Sequence, residues 1–197
     1  MRPLCLGAAL IMNFPARYKA DIVSAVESID IDEISKVIEL FKQTRVRGRN
    51  IFVCANTSSG NTASRVVADL MTRSSFGRPA RFRVLPLHNG AIESFDDEEI
   101  PRGDRSFVEQ LKTFVEPQDV VVGISASGNA LPIVKALDYS TRIGCKTVAL
   151  TGLDGGKLGA LADITVHVAS THPGTVEDTH VIICHMIGSY FLEFDNL

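Results

Sequence analysis

The residues best suited to chemistry lie in a glycine- and serine-rich segment near the middle of the chain. Residues 120–124 are mostly β-branched, and they are followed by Ser125, Ser127, Gly128 and Asn129. A β-branched run of this length predicts a buried strand of a parallel sheet. A loop between such a strand and a helix presents backbone N–H groups, hydroxyls and a helix N-terminus to one small volume, which favours an anion such as phosphate. The alternative is a serine-rich turn that only caps the helix.

The exact spacing of these residues narrows the kind of anion. Gly123 and Gly128 have the glycine spacing of a nucleotide P-loop, but Asn129 and Ala130 stand where that motif has lysine and Ser or Thr. Ser127 occupies the second glycine position of the G-x-S-x-G elbow of α/β-hydrolases, and the chain has no G-x-G-x-x-G motif of dinucleotide-binding proteins. The segment therefore predicts a site for one phosphate group on a small molecule.

A second group with useful chemistry is a histidine near the C-terminus. His185 lies in the apolar run 181–187, which predicts a buried helix. Imidazole exchanges protons near neutral pH, so His185 is a candidate for acid–base catalysis, with a hydrogen-bonded core histidine as the alternative. Glu177 lies about 12 Å earlier along the helix axis and about 80° around it, so only a ligand lying across the helix could contact both. Glu177 could equally be a carboxylate that favours the helix N-terminus.

Arg65 and Asp69 are four residues apart on a predicted helix. This spacing predicts an ion pair worth a few tenths of a kcal/mol on a helix surface. If the pair faces a crevice instead, Arg65 would strengthen the binding of an anionic ligand. Both interpretations stay open from the residues alone.

The elements that position these residues alternate between strand and helix from residue 50 onward. The predicted strands cover residues 51–55, 81–87, 120–124, 146–150 and 164–168. The predicted helices cover residues 62–72, 106–114, 131–143, 158–162 and 176–193. This order predicts a three-layer αβα sandwich around a mostly parallel, five-stranded, flavodoxin-like sheet. The loops that start at Asn56, Ser125 and Thr151 all follow strands, so we expect them to meet in one crevice at the carboxyl edge of the sheet.

The rest of the chain predicts a single domain over residues 1–197 with an N-terminal extension. Two helices are expected within residues 16–45, the second capped by Asp30, and they should pack on the α/β core at residues 50–193 or on another subunit. Residues 1–15 are expected to be disordered or extended, or to precede a true start at Met12. Residues 89–105 predict a long loop, either a lid or a surface excursion.

Composition limits the function classes. The net charge is −3 and the pI near 5.9, so no electrostatic footprint for nucleic acid is expected. No run of residues is long and apolar enough to predict a membrane span. The four cysteines lie far apart without a C-x-x-C pair, which argues against a zinc ribbon or a disulfide framework and indicates a reducing compartment, hence the cytoplasm.

Three segments together carry a family resemblance. Residues 123–129 (GISASGN), 150–157 (LTGLDGGK) and 176–185 (VEDTHVIICH) resemble, in order and spacing, the sugar isomerase (SIS) domain family, in its phosphoheptose isomerase branch. The similarity covers residues 31–192. It implies a homotetramer with active sites at subunit interfaces. It also implies interconversion of sedoheptulose 7-phosphate and D-glycero-D-manno-heptose 7-phosphate through an enediol, with the sugar phosphate as the small-molecule partner.

The resemblance also implies roles for individual residues. Contacts with the phosphate and the sugar would come from Asn56, Ser59, Asp97, Ser125 and Ser127. The residues themselves add Ser58, Arg65 and Asn129 as candidate contacts with the ligand. Catalysis would come from Asp69, Glu177 and His185. No cofactor is certain, but some members bind zinc at positions that match Arg65, Asp69, Glu177 and His185.

The chain departs from the family pattern at several of these positions. Residues 55–59 read ANTSS where members usually have G-N-G-G-S, and Ala130 replaces a hydroxyl at the phosphate loop. Arg65 replaces a histidine, so a neutral metal ligand becomes a cation. Asp69 is one methylene shorter than the usual glutamate. These departures leave an alternative function open, namely a non-catalytic SIS module that binds a phosphosugar or a protein partner such as a replication initiator.

Overall fold

A computed structural model describes residues 4–55, 59–87 and 107–194, with side chains from residue 13 onward. Five strands form one sheet in the order β2-β1-β3-β4-β5, and every neighbouring pair is parallel. The strands are β1 Asn50–Ala55, β2 Arg83–Leu87, β3 Val120–Ser125, β4 Lys146–Thr151 and β5 Ile164–His167. The predicted αβα sandwich is confirmed, and its sheet is wholly parallel.

Seven α-helices cover the sheet in the described ranges. They are α1 Leu4–Glu27, α2 Ile31–Val46, α3 Gly60–Val67, α4 Phe107–Phe114, α5 Leu131–Arg142, α6 Gly156–Leu161 and α7 Pro173–Glu193. Residues of α1, α2, α3 and α7 share one buried cluster with Ile51 and Val53, whereas α4, α5 and α6 share another with Phe52 and Cys54. Successive side chains of a strand point to opposite faces, so β1 contributes to both cores.

The second N-terminal helix packs on the core of its own protomer. Asp30 caps α2 as predicted, because its carboxylate accepts hydrogen bonds from the N–H groups of Asp32 at 2.9 Å and Glu33 at 3.3 Å. Ile34 and Val37 of its apolar stripe are buried, whereas Ile31 is exposed. Packing within the protomer therefore accounts for most of the stripe.

The first helix differs from the sequence expectation. The prediction that residues 1–15 are disordered or extended is wrong from Leu4 onward, because α1 runs from Leu4 to Glu27 and includes Pro15. A proline inside a helix removes one backbone hydrogen bond, which favours a break at that point. The leucine, alanine and methionine residues before it are strong helix formers, and the helix continues through the proline.

Two other element boundaries differ from the predicted ones by two or three residues. Strand β2 begins at Arg83, two residues later than predicted, and α7 begins at Pro173, three residues earlier. The early start of α7 follows from His172, whose ring accepts a hydrogen bond from the N–H of Thr175, and from a proline at the first helical position.

The predicted loop at residues 89–105 lies outside the described residues. In the described part of the chain, no helix is long and apolar enough to cross a membrane.

Candidate active site

Two loops at the carboxyl edge of the sheet are fastened to each other. The loop after β3 reaches the loop after β4 at Gly128, whose carbonyl accepts a hydrogen bond from the N–H of Leu158 at 2.9 Å. Gly128 has a φ of +63°, and a Cβ placed there would lie 2.0 Å from the carbonyl oxygen of Gly155. Only glycine satisfies both the backbone angle and this approach. The predicted convergence of these two loops is confirmed.

Asn129 ties the same two loops together through its side chain. Its amide oxygen accepts a hydrogen bond from the N–H of Lys157 at 3.1 Å, and its amide nitrogen donates to the carbonyl of Ser127 at 3.0 Å. The predicted contact of Asn129 with phosphate is untested. The contacts observed assign it a structural function in holding the loop.

Two serine hydroxyls at this edge are buried without a hydrogen-bond partner among the described residues. Ser59 directly precedes α3 and Ser125 ends β3, and each is 1% exposed. Strands β1 and β3 are neighbours, so both serines follow adjacent strand ends. A buried hydroxyl left unpaired costs about 1–3 kcal/mol, which a bound phosphate oxygen would offset. The serines therefore have the properties expected of ligand-binding groups.

Ser127 and the start of α5 add donors to the same loop. Ser127 is exposed, and its hydroxyl oxygen accepts a hydrogen bond from the N–H of Asn129 at 3.2 Å, so its own hydrogen is free for a ligand. The residue before α5 is Ala130, which provides no side-chain cap. Pro132 has no N–H, and the N–H groups of Ile133 and Val134 donate to the carbonyl of Ala130, so in the first turn the N–H of Leu131 is the one left for an anion. Three further predicted ligands, Asn56, Ser58 and Asp97, lie outside the described residues.

A carboxylate–imidazole pair forms the second part of the site. Oδ2 of Asp69 lies 3.1 Å from Nδ1 of His185, and the Asp69 side chain is 4% exposed whereas that of His185 is 39% exposed. The orientation of the two groups does not give a hydrogen bond, and Oδ2 has no hydrogen-bond partner in the described part of the protein. Asp69 and His185 are therefore close enough to interact electrostatically, but they do not form a hydrogen bond. In unliganded sites, catalytic hydrogen bonds are often long or poorly aligned.

Two arginines flank the other oxygen of the same carboxylate. Nη1 of Arg73 lies 3.2 Å from Oδ1 of Asp69 and donates a hydrogen bond to it, and Nη1 of Arg65 lies 4.0 Å from the same atom. The predicted pairing of Arg65 with Asp69 is thus present, although it is the longer of the two. Arg73 was not predicted to belong to the site, but it lies four residues after Asp69, just as Arg65 lies four before it.

The backbone that carries Asp69 is a π-helical turn, Ala68–Arg73, which continues α3. The N–H of Ser74 donates to the carbonyl of Asp69 at 2.9 Å, five residues back. Such single π-helical turns inside helices are frequent at functional sites because they shift the direction of the side chains that follow. The sequence pattern predicted one continuous helix over residues 62–72 and missed this turn.

Helix α7 is less buried at His185 than predicted. Ile183, Cys184 and Ile187 are buried, but His185 is partly exposed. Glu177 is also partly exposed, and the structure does not bring it to the pair. Its predicted catalytic function is therefore untested.

A fully buried histidine on α7 was left unassigned by the sequence. Nε2 of His180 lies 3.2 Å from the carbonyl oxygen of Thr151, so this nitrogen carries the hydrogen and donates it. Burial lowers the pKa of His180 to about 4, which keeps the ring neutral at physiological pH. The carbonyl of Thr151 also accepts from the N–H of Val168. His180 thus fastens the first part of α7 to the end of β4.

The donor set around Asp69 does not fit zinc within one protomer. Of the three carboxylate and imidazole ligands predicted for a metal, Asp69 and His185 come together and Glu177 does not. No group of three or more His, Cys, Asp or Glu side chains in the described ranges is arranged to hold a metal ion. Guanidinium groups cannot act as ligands and add positive charge beside the carboxylate.

The two parts of the site are far apart within one protomer. Asp69 lies ten residues after Ser59, and α3 leads away from the sheet edge at about 1.5 Å per residue, so the separation along the helix is about 15 Å. His185 contacts Asp69, so it lies at about the same distance from the sheet edge as Asp69 does. The serines and the pair therefore occupy opposite ends of one helix.

Comparison with known proteins agrees with this architecture. The family model of the SIS domain matches residues 16–152. A protein from Thermoplasma volcanium named "probable phosphoheptose isomerase" is 31% identical over 172 residues, which cover 85% of this chain and 87% of that protein. A phosphoheptose isomerase from Aliarcobacter butzleri is 29% identical, with 92% and 95% covered.

Solved structures show the same fold. A phosphoheptose isomerase from Francisella tularensis superposes with a TM-score of 0.79 at 19% identity, covering 94% of this chain and 97% of that one. This fold agrees with the family expected from the three sequence segments. The chain belongs to the SIS domain family, in its phosphoheptose isomerase branch.

Proposed function

We propose that the protein is a phosphosugar isomerase that interconverts sedoheptulose 7-phosphate and D-glycero-D-manno-heptose 7-phosphate through an enediol. The observation that supports this most strongly is the pairing of the buried Asp69 carboxylate with the His185 ring. It occurs in a chain whose relatives of similar length carry the name phosphoheptose isomerase. A buried carboxylate beside an accessible imidazole is suited to moving a proton between neighbouring carbon atoms.

The phosphate end of the substrate binds at the carboxyl edge of the sheet. The hydroxyls of Ser59, Ser125 and Ser127 donate to the phosphate oxygens, and the N-terminus of α5 adds the backbone N–H of Leu131. The fastened loops hold these donors in place before the ligand arrives, so less conformational entropy is lost on binding. The lysine required for a nucleotide triphosphate is missing from the loop, which favours a single phosphate.

The proton is transferred at His185. The two groups are not aligned for a hydrogen bond, but the negative charge of the Asp69 carboxylate 3.1 Å from Nδ1 favours the form with its hydrogen on Nδ1, so the lone pair resides on Nε2. Nε2 accepts the proton from the carbon next to the carbonyl and returns it to the neighbouring carbon, which converts aldose to ketose or the reverse. Arg65 lies beside the pair and stabilises the negative charge that develops on the enediolate oxygen. Glu177 reaches a ligand that lies across α7 and serves its oxygens as a second acid–base group.

We propose further that two copies of the chain build each active site, in a cytoplasmic homotetramer. The separation of about 15 Å between Ser59 and Asp69 supports this, because one protomer alone holds the phosphate and the proton-transfer groups far apart. Half-buried apolar residues beside His185, among them Val181, Ile182 and Met186, support it as well. A helix that is apolar all round is normally covered on every side, and here a second copy would cover the open side.

Mixing two inactive variants tests the shared site. The double variant Ser59→Ala, Ser125→Ala should lose phosphate binding, and His185→Ala should lose proton transfer. Unfolding and refolding the two together gives mixed oligomers. We expect measurable isomerase activity to return in the mixture, because some interfaces then combine intact serines from one copy with an intact His185 from the other. No return of activity in mixed oligomers shown to form would contradict the shared site.

The function itself is tested with two substrates. The protein is incubated with sedoheptulose 7-phosphate and with unphosphorylated sedoheptulose, and aldose formation is followed by NMR. Aldose formed from the phosphate ester alone supports the proposal. Saturable binding of the ester without any aldose would instead identify a non-catalytic module that binds a phosphosugar or a protein partner.

A further inference from the structure

Helix α7 packs closely against Asp69 of the π-helical turn at a glycine. A Cβ placed on Gly188 would lie 2.7 Å from Cβ of Asp69, 3.4 Å from its Cγ and 3.5 Å from its Oδ2. Real Cβ atoms almost never come within 3.0 Å of another heavy atom. Any side chain at position 188 would therefore push Asp69 and α7 apart.

A buried hydroxyl holds this close approach in place. Oγ of Ser74 lies 2.8 Å from the carbonyl oxygen of Asp69 and 3.1 Å from that of Gly188, and Ser74 is fully buried. One hydroxyl hydrogen is shared between two carbonyl groups, one on each helix. The π-helical turn and α7 are thus joined at the level of Gly188.

Gly188 lies one helical turn after His185, on the same face of α7. An aspartate side chain has a single methylene, so its carboxylate can reach the imidazole only if the two helices are close. We propose that Gly188 is a positioning residue that sets the distance between Asp69 and His185. The consequence for turnover rests on the proposed isomerase function, whereas the consequence for the geometry of the pair does not.

The variant Gly188→Ala tests the kinetic consequence. A displacement of about 1 Å at a catalytic group can cost about 100-fold in rate, so we expect kcat to fall by about that factor. KM should stay within about threefold, because a Cβ at position 188 meets Asp69 and none of the serines or the backbone N–H that bind the phosphate in the proposed site. Gly159→Ala in α6 is the matched control, since a Cβ there meets only ordinary contacts from 3.5 Å outward. Its kcat should remain unchanged.

Nitrogen-15 NMR of the histidine rings tests the geometry independently of turnover. The His185 signals are assigned by difference from His185→Gln. In the native protein they should report the form with its hydrogen on Nδ1, and in Gly188→Ala a mixture of the two neutral forms. If the native protein shows no isomerase activity, the proposed function fails, and this spectrum still decides the inference.

A second substitution distinguishes a positioning role of Gly188 from a general loss of packing between the two helices. Adding Asp69→Glu to Gly188→Ala lengthens the carboxylate side chain by one methylene across the widened gap, so kcat and the ring signals should partly recover. A folded Gly188→Ala protein with native kcat and spectrum would overturn the inference, and so would a loss that Asp69→Glu does not relieve. If Gly188→Ala does not fold, Ser74→Ala removes the shared hydroxyl without adding bulk. An unchanged His185 spectrum in that variant would overturn the inference as well.

Discussion

His185→Ala is expected to lower kcat by about 1,000-fold while KM stays within a few-fold of the native value. General acid–base groups contribute about 10²–10⁴-fold to enzymatic rates, and in the proposed mechanism the imidazole handles the transferred proton itself. The proposed phosphate donors are serine hydroxyls and a backbone N–H, which this substitution leaves in place, so ground-state binding should be nearly unaffected. Initial rates of sedoheptulose 7-phosphate isomerisation, measured over a range of concentrations, give both constants.

His172→Asn is the matched control for this variant. His172 is the N-cap of α7, far from the pair, and asparagine is itself a good N-cap, so the helix should keep its start. Its kcat should equal that of the native protein. A His185→Ala protein that folds and retains more than about a tenth of native kcat would contradict the assignment of His185, since it would fall outside the range expected for an acid–base group.

Gly128→Ala is expected to cause the largest loss of stability among single glycine replacements. A Cβ at this position would lie 2.0 Å from the carbonyl oxygen and 2.5 Å from the carbonyl carbon of Gly155, both backbone atoms. The left-handed backbone costs a residue with a Cβ about 1–2 kcal/mol. Overpacking adds about 1–3 kcal/mol, because the two loops must separate. Urea denaturation should show a loss of about 2–5 kcal/mol in the free energy of unfolding.

Gly48→Ala isolates the steric part of this effect. Gly48 has a φ of +64°, nearly equal to that of Gly128, but a Cβ there would have no heavy atom within 4 Å. The control therefore carries the backbone cost alone, about 1–2 kcal/mol. Equal losses in the two variants would show that the contact between the strand-end loops contributes nothing.

The sheet and the loop after β3 could be predicted because the signals for them are local. The β-branched residues of β3 and the glycines and serines that follow them mark a buried strand and a strand-to-helix loop within ten residues. The alternation of strand and helix then places the loops after β1, β3 and β4 at one edge. The meeting of the loops after β3 and β4 needed no knowledge of side-chain packing.

The pairing of Asp69 with His185 depends on contacts between distant segments. The approach of Asp69 to His185 requires a π-helical turn, a glycine at position 188 and a hydroxyl at Ser74. No periodic pattern in the sequence predicts any of these three features. Arg73 could have been found from its spacing to Asp69. Residues of α7 look fully buried from their hydropathy, and only the fold shows that one side of the helix is left partly uncovered.

Proton NMR of sedoheptulose 7-phosphate incubated with the protein in D₂O decides whether the protein is an isomerase that transfers a proton through His185. We expect aldose phosphate to appear and to carry solvent deuterium at its second carbon, because the imidazole of His185 exchanges its proton with water before returning it. His185→Ala should produce neither change. Tight binding of the phosphate ester with no aldose after prolonged incubation would contradict the isomerase, and aldose formed without solvent deuterium would contradict proton transfer through His185.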